Sequence, residues 1–565
     1  MCDKQLTSYH TRNTMLKIKQ YVNKNSLQTI IVSICIFAVC LGTQQMQTVK
    51  WDTGIYEFSR DMLGIVMAII IGTNYNWCKI QKYKWAYIVW SILGIIAGVF
   101  ILPVAIRTRL HFLLADTIII YLGILLMGYC IIYTTVNIIV EKYRPSFFMP
   151  LFVIWIIMLC WMIFSKTSFV WPVCYFVLFL CYYLTEQTPL QNINVIKGII
   201  NGIILAFIVI QGHSFLTRPY DRLRYYGDFC NPNHNCLFIC ICLAAILGKI
   251  IFLVNEDRNK KVIFLFFLLA GGAYSFIFMT QSMSGALTAL VMSIVFLILY
   301  CKVRKKRIFI RMGIFLTLIF LIMMPITYLA VRYIPTIHPH VNFYFQEGYS
   351  EDRVHSWDPW NSEKYITFEE LIESYRARIR KKIYSWEKIR ESFLNAQNCD
   401  NLKIVSSTAY VPQLVTMNDN RNWTNEGIGD NKKNPLLTKE EEKNSFLVRY
   451  TIYKWYFIHL SLRGMPYDEQ GFQLTEDHWI QDTHNIYLDY GINFGYPAMI
   501  LFIVFIWWGI ARLWIQGIKT ENVRKLVCLF ILCVTPIFGM FEFAWGAGMI
   551  STVSLYLCSK EVVCN

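Results

Sequence analysis

The sequence predicts an all-α protein that crosses a membrane about 12–14 times. Hydrophobic residues make up 56% of its 565 residues and charged residues only 16%, whereas about 25% of the residues in soluble domains are charged. Apolar runs of roughly 18 residues or more recur along the chain, which is the length that a helix needs to cross a bilayer. The net charge of +16 is typical of the Lys and Arg excess on the cytoplasmic side of membrane proteins, and no basic-aromatic patch indicates nucleic-acid binding.

The chain divides into four regions. A basic N-terminus over 1–26 precedes transmembrane helices 1–11 over 27–332, then a polar stretch over 333–485, and then the C-terminal transmembrane helices over 486–565. The predicted helices, of which the last pair also fits one re-entrant unit, are 27–44, 57–75, 85–106, 112–140, 146–164, 168–184, 194–212, 235–254, 262–281, 284–301, 308–332, 486–515, 524–541 and 543–558. Most of the 18 cysteines lie in apolar segments, where they act as small apolar residues, so no disulfide framework and no metal site are predicted.

Charge at the breaks between helices predicts the orientation. With the N-terminus in the cytoplasm, every second break faces inward, and nearly all of these breaks are basic, as the positive-inside rule requires. The clearest are 79–84, 142–144, 302–307 and 519–525. The stretch 333–485 then lies outside, where helical periodicity over 366–396 and 440–462 predicts a partly helical domain, and the Asn- and Gly-rich segment 417–434 predicts a loop.

The first outer segment suited to chemistry begins at Arg222 and Arg224, before a long apolar run. Outward arginines oppose the orientation rule, so something must hold them. An arginine fork donates two hydrogen bonds to one phosphate, and that phosphate belongs either to a substrate or to lipid. Gly227, Asn231 and Asn233 follow, and asparagine before proline is typical of a helix start.

Three further outer segments are candidates. Ser282 and Ser284 lie in a break of polar and small residues, which is equally typical of a tight turn with serine caps. Arg449 lies in an aromatic-rich helical run, where an ordinary surface charge is the alternative. His484 precedes a helix that enters the membrane. Because imidazole titrates near neutral pH, His484 is suited to act as a base, and a polar helix start is the alternative.

Several sequence motifs are absent. The chain has no phosphate loop, no His-Glu-x-x-His and no Gly-x-Ser-x-Gly, so no ATP-driven mechanism is indicated. The apolar segments also lack the carboxylate pairs expected of a proton-coupled transporter. Asp116 is the main acid within them.

In their order along the chain, these outer segments resemble the motifs of the O-antigen ligase and polymerase superfamily of bacterial envelope polysaccharide enzymes. Arg224, Gly227 and the Asn-Pro-Asn at 231–233 resemble its Arg-x-x-Gly-x-x-x-Asn-Pro-Asn. The segment around Arg449 resembles its stretch of arginine and aromatic residues in a large external loop. The resemblance covers roughly residues 195–515.

Two more motifs extend the resemblance, each with a departure. His484, Asn485 and Tyr487 resemble the family's His-Asn-x-Tyr-Leu, but the pair of glycines that follows is spaced one residue further apart. The break at 280–286 resembles its Ser-Arg-Ser/Gly-Gly turn, but Met283 stands where many relatives have arginine. If that arginine contributes to substrate binding, its role here is lost or has moved.

The resemblance implies glycosyl transfer on the outer face of the bacterial plasma (inner) membrane. The donor would be a polyprenyl-diphosphate-linked saccharide and the acceptor a hydroxyl of a saccharide or a lipid-linked glycan. The implied fold is like that of polyprenyl-phosphate-dependent (GT-C-like) glycosyltransferases, with His484 as the general base and Arg224 and Arg449 on the diphosphate. The implied substrate-binding residues are Arg222, Gly227, Asn231, Asn233, Ser282, Ser284, Asn485 and Tyr487. Among them, Arg222 would substitute for the arginines that bind the diphosphate. No metal or other cofactor is implied.

Other functional classes stay open at this point. A lipid-linked saccharide exporter would be expected to show internal repeats and a charged central cavity, and the sequence shows no repeat. A membrane sensor or anchor with an external binding domain would not need His484 and Arg224 on one face. Within the enzyme class, both polymerisation of repeat units and ligation of a finished glycan fit the sequence.

Overall fold

Helices make up nearly all of the secondary structure in the part of the chain that can be described. The computed structural model describes residues 26–41, 62–108, 112–167, 170–217, 224–227, 229, 231–304, 308–337, 366–380, 436, 445–466, 469–475, 478–480, 483–542 and 550–564. The predicted N-terminal region up to residue 25, the predicted loop 417–434 and the candidate Arg222 lie outside these ranges.

The elements are named in chain order. They are α1 (Ser26–Leu41), α2 (Leu63–Gly72), α3 (Trp77–Lys82), α4 (Lys84–Thr108), α5 (Phe112–Ile139), α6 (Met149–Ile163), α7 (Val170–Leu184), α8 (Pro189–Thr217), α9 (Pro232–Asn255), α10 (Lys260–Met279), α11 (Met283–Arg304), α12 (Phe309–Ile337), α13 (368–380), α14 (Ser445–Ile458), β1 (Phe472–Thr475), β2 (His478–Ile480), α15 (Ile486–Phe494), α16 (Tyr496–Thr520), α17 (Val523–Phe538) and α18 (Ile550–Val563).

Length and hydropathy mark many of these helices as membrane spans. Within the described residues, seven helices are long and apolar enough to cross a bilayer, in α5, α8, α9, α10, α11, α12 and α16, and five shorter apolar helices accompany them. Large side chains such as Ile124, Ile310 and Leu321 are more than half exposed, which is typical of a surface that lipid covers. The prediction of a helical, polytopic membrane protein is confirmed.

The helix α9 lies at the centre of the bundle. Apart from Lys249, every residue of α9 from Asn235 to Val254 is buried, as expected of a helix surrounded by other helices. It packs against α8, α10, α11, α17 and α18. Asn231 caps it by accepting a hydrogen bond from the backbone N–H of Asn233 at 2.8 Å, and Pro232 occupies its first turn, where no N–H is needed.

The prediction of one continuous helix over 486–515 is wrong in one respect. The structure has two helices there, α15 and α16, which are separated at Gly495. This residue has φ +93°, and a Cβ atom there would lie 2.1 Å from the carbonyl oxygen of Leu462. Only glycine fits this close approach of two backbones. The helix α15 therefore ends beside the external segment, and α16 starts afresh with Pro497 in its first turn.

The stretch that was predicted to lie outside, 333–485, contains a small apolar core of its own. Its strands β1 and β2 pair antiparallel, with Phe472 opposite Ile480, and these short strands are an addition to the predicted all-α fold. Trp455 of α14 stacks on Phe472 with ring centroids 4.7 Å apart. Ile492 of α15 joins the same core, so this external unit rests directly on a helix of the bundle.

Polar contacts between the breaks fall into two groups. Contacts among the breaks that were predicted to face inward include the ion pairs Lys82–Glu141 and Arg524–Glu561 and a hydrogen bond from Lys560 to the carbonyl oxygen of Thr185. Contacts among the outer breaks include those of Arg224, Arg378, Arg449 and His484 described below. The assignment of the basic group to the cytoplasm stays a prediction.

Candidate functional site

The guanidinium of Arg224 is fixed between two breaks that were predicted to face outward. Its Nε donates to the carbonyl oxygen of Thr280 at 2.8 Å, and its Nη2 donates to Oδ1 of Asn233 at 2.6 Å. The next residue, Tyr225, donates its backbone N–H to the carbonyl oxygen of Met279 at 3.0 Å. The segment that precedes α9 is therefore tied to the C-terminal end of α10, and Arg224 is held at the junction.

Gly227 and the asparagines around it shape this junction. Gly227 has φ +59°, and a Cβ atom there would lie 3.0 Å from Oγ of Ser214 and 3.1 Å from Nδ2 of Asn235. A side chain would be strained by the left-handed backbone as well as crowded. Asn233 is oriented by the cap that Asn231 forms, so both residues act here by placing Arg224.

The break between α10 and α11 is a buried turn that carries two serines. The hydroxyl oxygens of Ser282 and Ser284 lie 3.0 Å apart, and the two residues are 2% and 7% exposed. Met283 stands where many relatives have arginine, but besides Arg224 a second arginine reaches this turn from α13, because Nη1 of Arg378 donates to the carbonyl oxygen of Gln281 at 2.8 Å. Sequence analysis did not single out Arg378, which lies in the predicted helical run 366–396.

His484 and Arg449 meet at a carboxylate that sequence analysis missed, Glu542. Nη2 of Arg449 donates to Oε1 of Glu542 at 2.6 Å, and Nη1 donates to the carbonyl oxygen of Phe541 at 2.6 Å. Nδ1 of His484 lies 3.6 Å from Oε2 of Glu542. That distance is slightly longer than a hydrogen bond, as catalytic contacts often are before substrate binds.

Backbone anchors hold His484 in place. Its φ is +49°, a left-handed conformation that histidine adopts more often than most residues. The hydroxyl of Tyr453 donates to the carbonyl oxygen of His484 at 3.1 Å. Nδ2 of Asn485 donates to the carbonyl oxygen of Met540 at 2.9 Å, which joins the start of α15 to the segment that carries Glu542.

The charges of this region act on one another. Burial alone would raise the pKa of Glu542, but His484 and the guanidinium of Arg449 outweigh burial and hold this pKa below its ordinary value. Burial works to lower the pKa of Arg449, but Glu542 reverses the effect and raises it. Burial lowers the pKa of Arg224, the nearby charge of Arg378 lowers it further, and Glu542 opposes both effects.

Two residues predicted to bind substrate serve the protein itself in this structure. Asn485 caps α15 by accepting from the backbone N–H of Tyr487 at 2.9 Å and of Leu488 at 3.1 Å. The hydroxyl of Tyr487 donates to the carbonyl oxygen of Pro536 and accepts from Nε1 of Trp507. These contacts explain how the two residues support the site, and their predicted contact with substrate stays a prediction.

No group of three or more His, Cys, Asp or Glu side chains suited to a metal ion occurs in the described part of the chain. The polar side chains brought together form two sets, with Arg224 and Arg378 at the turn of residues 280 and 281 and Arg449 and His484 at the carboxylate of Glu542. Such sets suit recognition of anions and transfer of protons.

Comparison with known proteins yields no relative. No protein-family model, no curated protein and no solved structure matches the chain. The fold and the site define a polytopic helical membrane protein with a cluster of arginines and a histidine–carboxylate pair at one face.

Proposed function

We propose that this protein transfers a glycosyl group from a polyprenyl-diphosphate-linked saccharide to an acceptor hydroxyl on the outer face of the bacterial plasma membrane. In this role it polymerises or ligates a surface polysaccharide. The observation that carries the proposal is the placement of His484 Nδ1 3.6 Å from the buried carboxylate of Glu542, on the same side of the bundle as two arginines that lack a carboxylate partner among the described residues.

The histidine–carboxylate pair supports a role in proton transfer. A carboxylate at Nδ1 favours the tautomer that carries its proton on Nδ1, which leaves Nε2 as an acceptor. Nε2 of His484 forms no hydrogen bond within the described residues, and the side chain is 34% exposed. An acceptor hydroxyl that reached Nε2 would lose its proton there as its oxygen attacks the anomeric carbon of the donor.

The leaving group defines the second requirement. The bond from the anomeric carbon to the diphosphate oxygen breaks as the new glycosidic bond forms, and the departing polyprenyl diphosphate takes the electron pair. Cations at this position stabilise the charge that develops. Arg224 supplies such a cation on the outer side. A donor of this type already carries an activated leaving group, so no nucleotide is needed outside the cell.

Arg449 takes a different part in this proposal from the one the resemblance implies. Both of its terminal nitrogens donate to the segment 541–542, so in this structure it positions the carboxylate that faces His484. We assign it to the support of the base, with the diphosphate held elsewhere.

The test is turnover of a polyprenyl-diphosphate saccharide by the purified protein in lipid nanodiscs, with polymer length on a gel as the readout. His484→Ala should lower turnover by ~10²–10⁴-fold, as loss of a general base does, while expression and thermal unfolding remain close to wild type. His459→Ala is the matched control, because His459 stacks on Trp455 in the external core, away from Glu542.

Two results would contradict the proposal. Polymer of normal length from His484→Ala would contradict the assignment of His484 as the general base. Wild-type protein that moves the lipid-linked saccharide across a bilayer without forming any glycosidic bond would instead identify an exporter.

A further inference from the structure

Two arginines from distant parts of the chain converge on one turn. Arg224 donates to the carbonyl oxygen of Thr280 at 2.8 Å, and Arg378 donates to the carbonyl oxygen of the next residue, Gln281, at 2.8 Å. The turn that receives them is closely constrained, since Gln281 has φ +52° and is fully buried. Both guanidiniums are therefore held by adjacent peptide groups at the outer end of the bundle.

The helix that carries Arg378 is docked on the bundle by apolar contacts. The ring of Tyr375 stacks on Phe278 of α10 with centroids 4.3 Å apart and planes within 5°. Leu371 is fully buried, and the hydroxyl of Tyr328 donates to the carbonyl oxygen of Ile366 at 2.9 Å. These contacts fix α13 over the turn, so the position of Arg378 follows from packing on both sides of it.

No acidic side chain among the described residues balances the charge of this arginine pair. The acceptors of the two side chains are two backbone carbonyls and the neutral amide of Asn233, and neither arginine forms an ion pair with an acidic side chain among the described residues. The pKa values of both are lowered, first by burial, and that of Arg224 also by the charge of Arg378. Two cations that repel each other in a partly dehydrated place are stabilised by an anion between them.

Several N–H donors of the pair have no acceptor in the part of the chain that the structure describes. Nη1 of Arg224, and Nε and Nη2 of Arg378, form no hydrogen bond to any described residue. Arginine N–H groups in this state are suited to phosphate oxygens, which they bind with paired, charge-assisted hydrogen bonds.

We propose that Arg224 and Arg378 together form a two-cation site for a diphosphate on a lipid chain, with the external helix α13 contributing directly to the site. This inference rests on the proposed function, where the diphosphate is the leaving group of the donor. It gives the external segment a part in substrate binding. Arg378 is then the second arginine that binds the diphosphate, a role that the resemblance assigned to Arg449.

The test measures binding of farnesyl diphosphate and farnesyl monophosphate to the full chain in nanodiscs of phosphatidylcholine. The wild type should prefer the diphosphate, and Arg378→Gln should weaken diphosphate binding about 10–100-fold, which is the range that lost charge-assisted hydrogen bonds cover. Arg376→Gln and Arg380→Gln are matched controls, because both arginines are exposed on the same helix. Each should bind like the wild type.

A conservative variant separates binding from folding. Arg378→Lys keeps the charge and loses the fork, so it should bind more tightly than Arg378→Gln and less tightly than the wild type. Thermal unfolding of both variants should match that of the wild type. Wild-type binding by Arg378→Gln, or an equal loss in all three arginine-to-glutamine variants, would overturn the site.

Separate results distinguish the source of the bound phosphate and test the proposed glycosyl transfer independently of this site. If phosphatidylglycerol in the nanodisc displaces farnesyl diphosphate at equal mole fraction, the pair binds lipid headgroups and the diphosphate assignment is overturned. If Arg378→Gln keeps normal binding and His484-dependent turnover, the site fails and the glycosyl transfer stands. If the diphosphate binds through Arg378 but the wild type forms no glycosidic bond, the site stands and the proposed reaction fails.

Discussion

Replacing Glu542 by glutamine tests the chemistry of the site with the smallest possible change of shape. The carboxylate is 5% exposed and presents one oxygen to Arg449 and the other to His484. Glutamine has one acceptor oxygen and one NH₂ donor. With the oxygen kept on Arg449, the NH₂ group would face Nδ1 of His484 and favour the tautomer that carries its proton on Nε2. That tautomer cannot accept a proton from the acceptor hydroxyl.

The effects on rate and on stability should differ in size. Turnover should fall ~10²–10⁴-fold, as expected when a general base is disabled, with the KM for the donor changed only slightly because Arg224 and Arg378 are untouched. The stability cost should be modest, about 1–3 kcal/mol, because the side chain of Arg449 is 39% exposed and water replaces part of the lost ion pair.

Glu561→Gln is the matched control. Glu561 pairs with Arg524 at 2.9 Å, and the two side chains are 8% and 16% exposed, so this ion pair is more deeply buried than the one at the site. Breaking it should cost more stability, about 3–5 kcal/mol, with turnover per folded molecule unchanged. The assay is single-turnover glycosyl transfer together with thermal unfolding of both variants in the same nanodiscs.

Acid provides a second readout of the same substitution. The pKa of Glu542 is lower in the folded protein than its ordinary value, so its ion pairs stabilise the fold above the ordinary carboxyl pKa, and this stability is lost as the pH falls through the lowered value. The stability difference between wild type and Glu542→Gln should therefore stay constant from neutral pH down to the ordinary carboxyl range and close below it. Wild-type turnover by Glu542→Gln, or a slowing by Glu561→Gln of equal size, would refute the reasoning.

Two further predictions concern the guanidinium of Arg224 and the helix break at Gly495. Arg224→Lys should lose turnover and diphosphate binding by about 10-fold or more, because an ammonium keeps the charge without the fork; full activity of this variant, measured as donor KM and kcat, would indicate that Arg224 only contacts lipid phosphate. Gly495→Ala should lower the melting temperature sharply, because its Cβ would lie 2.1 Å from the carbonyl oxygen of Leu462 on a backbone with positive φ. Gly272→Ala, whose Cβ would meet nothing nearer than 3.9 Å, should melt at or above the wild-type temperature, and equal melting of the two variants would contradict the argument.

The helices were predictable because membrane spans have a simple cause. An apolar run long enough to cross the bilayer must form its backbone hydrogen bonds internally, and runs such as 112–140 and 235–254 therefore match α5 and α9 closely. The break at Gly495 was missed, although Gly495 and Pro497 together mark the end of one helix and the start of another. Hydropathy alone does not detect such a break, since both halves are apolar.

Part of the candidate site carries a signal in the sequence. Arg224, Arg449 and His484 stood out because charge and imidazole are uncommon at the outer ends of apolar segments. Glu542 carries the same signal, an acid between two phenylalanines, although the sequence analysis names Asp116 as the main acid of the apolar segments. Arg378 carried no such signal, because its helix also holds other arginines, and only the fold shows which of them reaches the turn at Gln281.

The buried position of α9 bears on how the chain enters the membrane. With a mean hydropathy of 2.9, α9 is the most apolar of the seven candidate spans, yet almost none of its surface faces lipid in the finished bundle. The helices α10, α11 and α17 that surround it come later in the chain, so α9 meets the bilayer before they are made. Each Leu, Ile, Phe or Val then favours insertion by about 0.3–0.6 kcal/mol. The apolar composition of α9 therefore favours its insertion into the membrane during synthesis. Polar substitutions on its buried sides would be selected against at insertion even where the final packing could hold them.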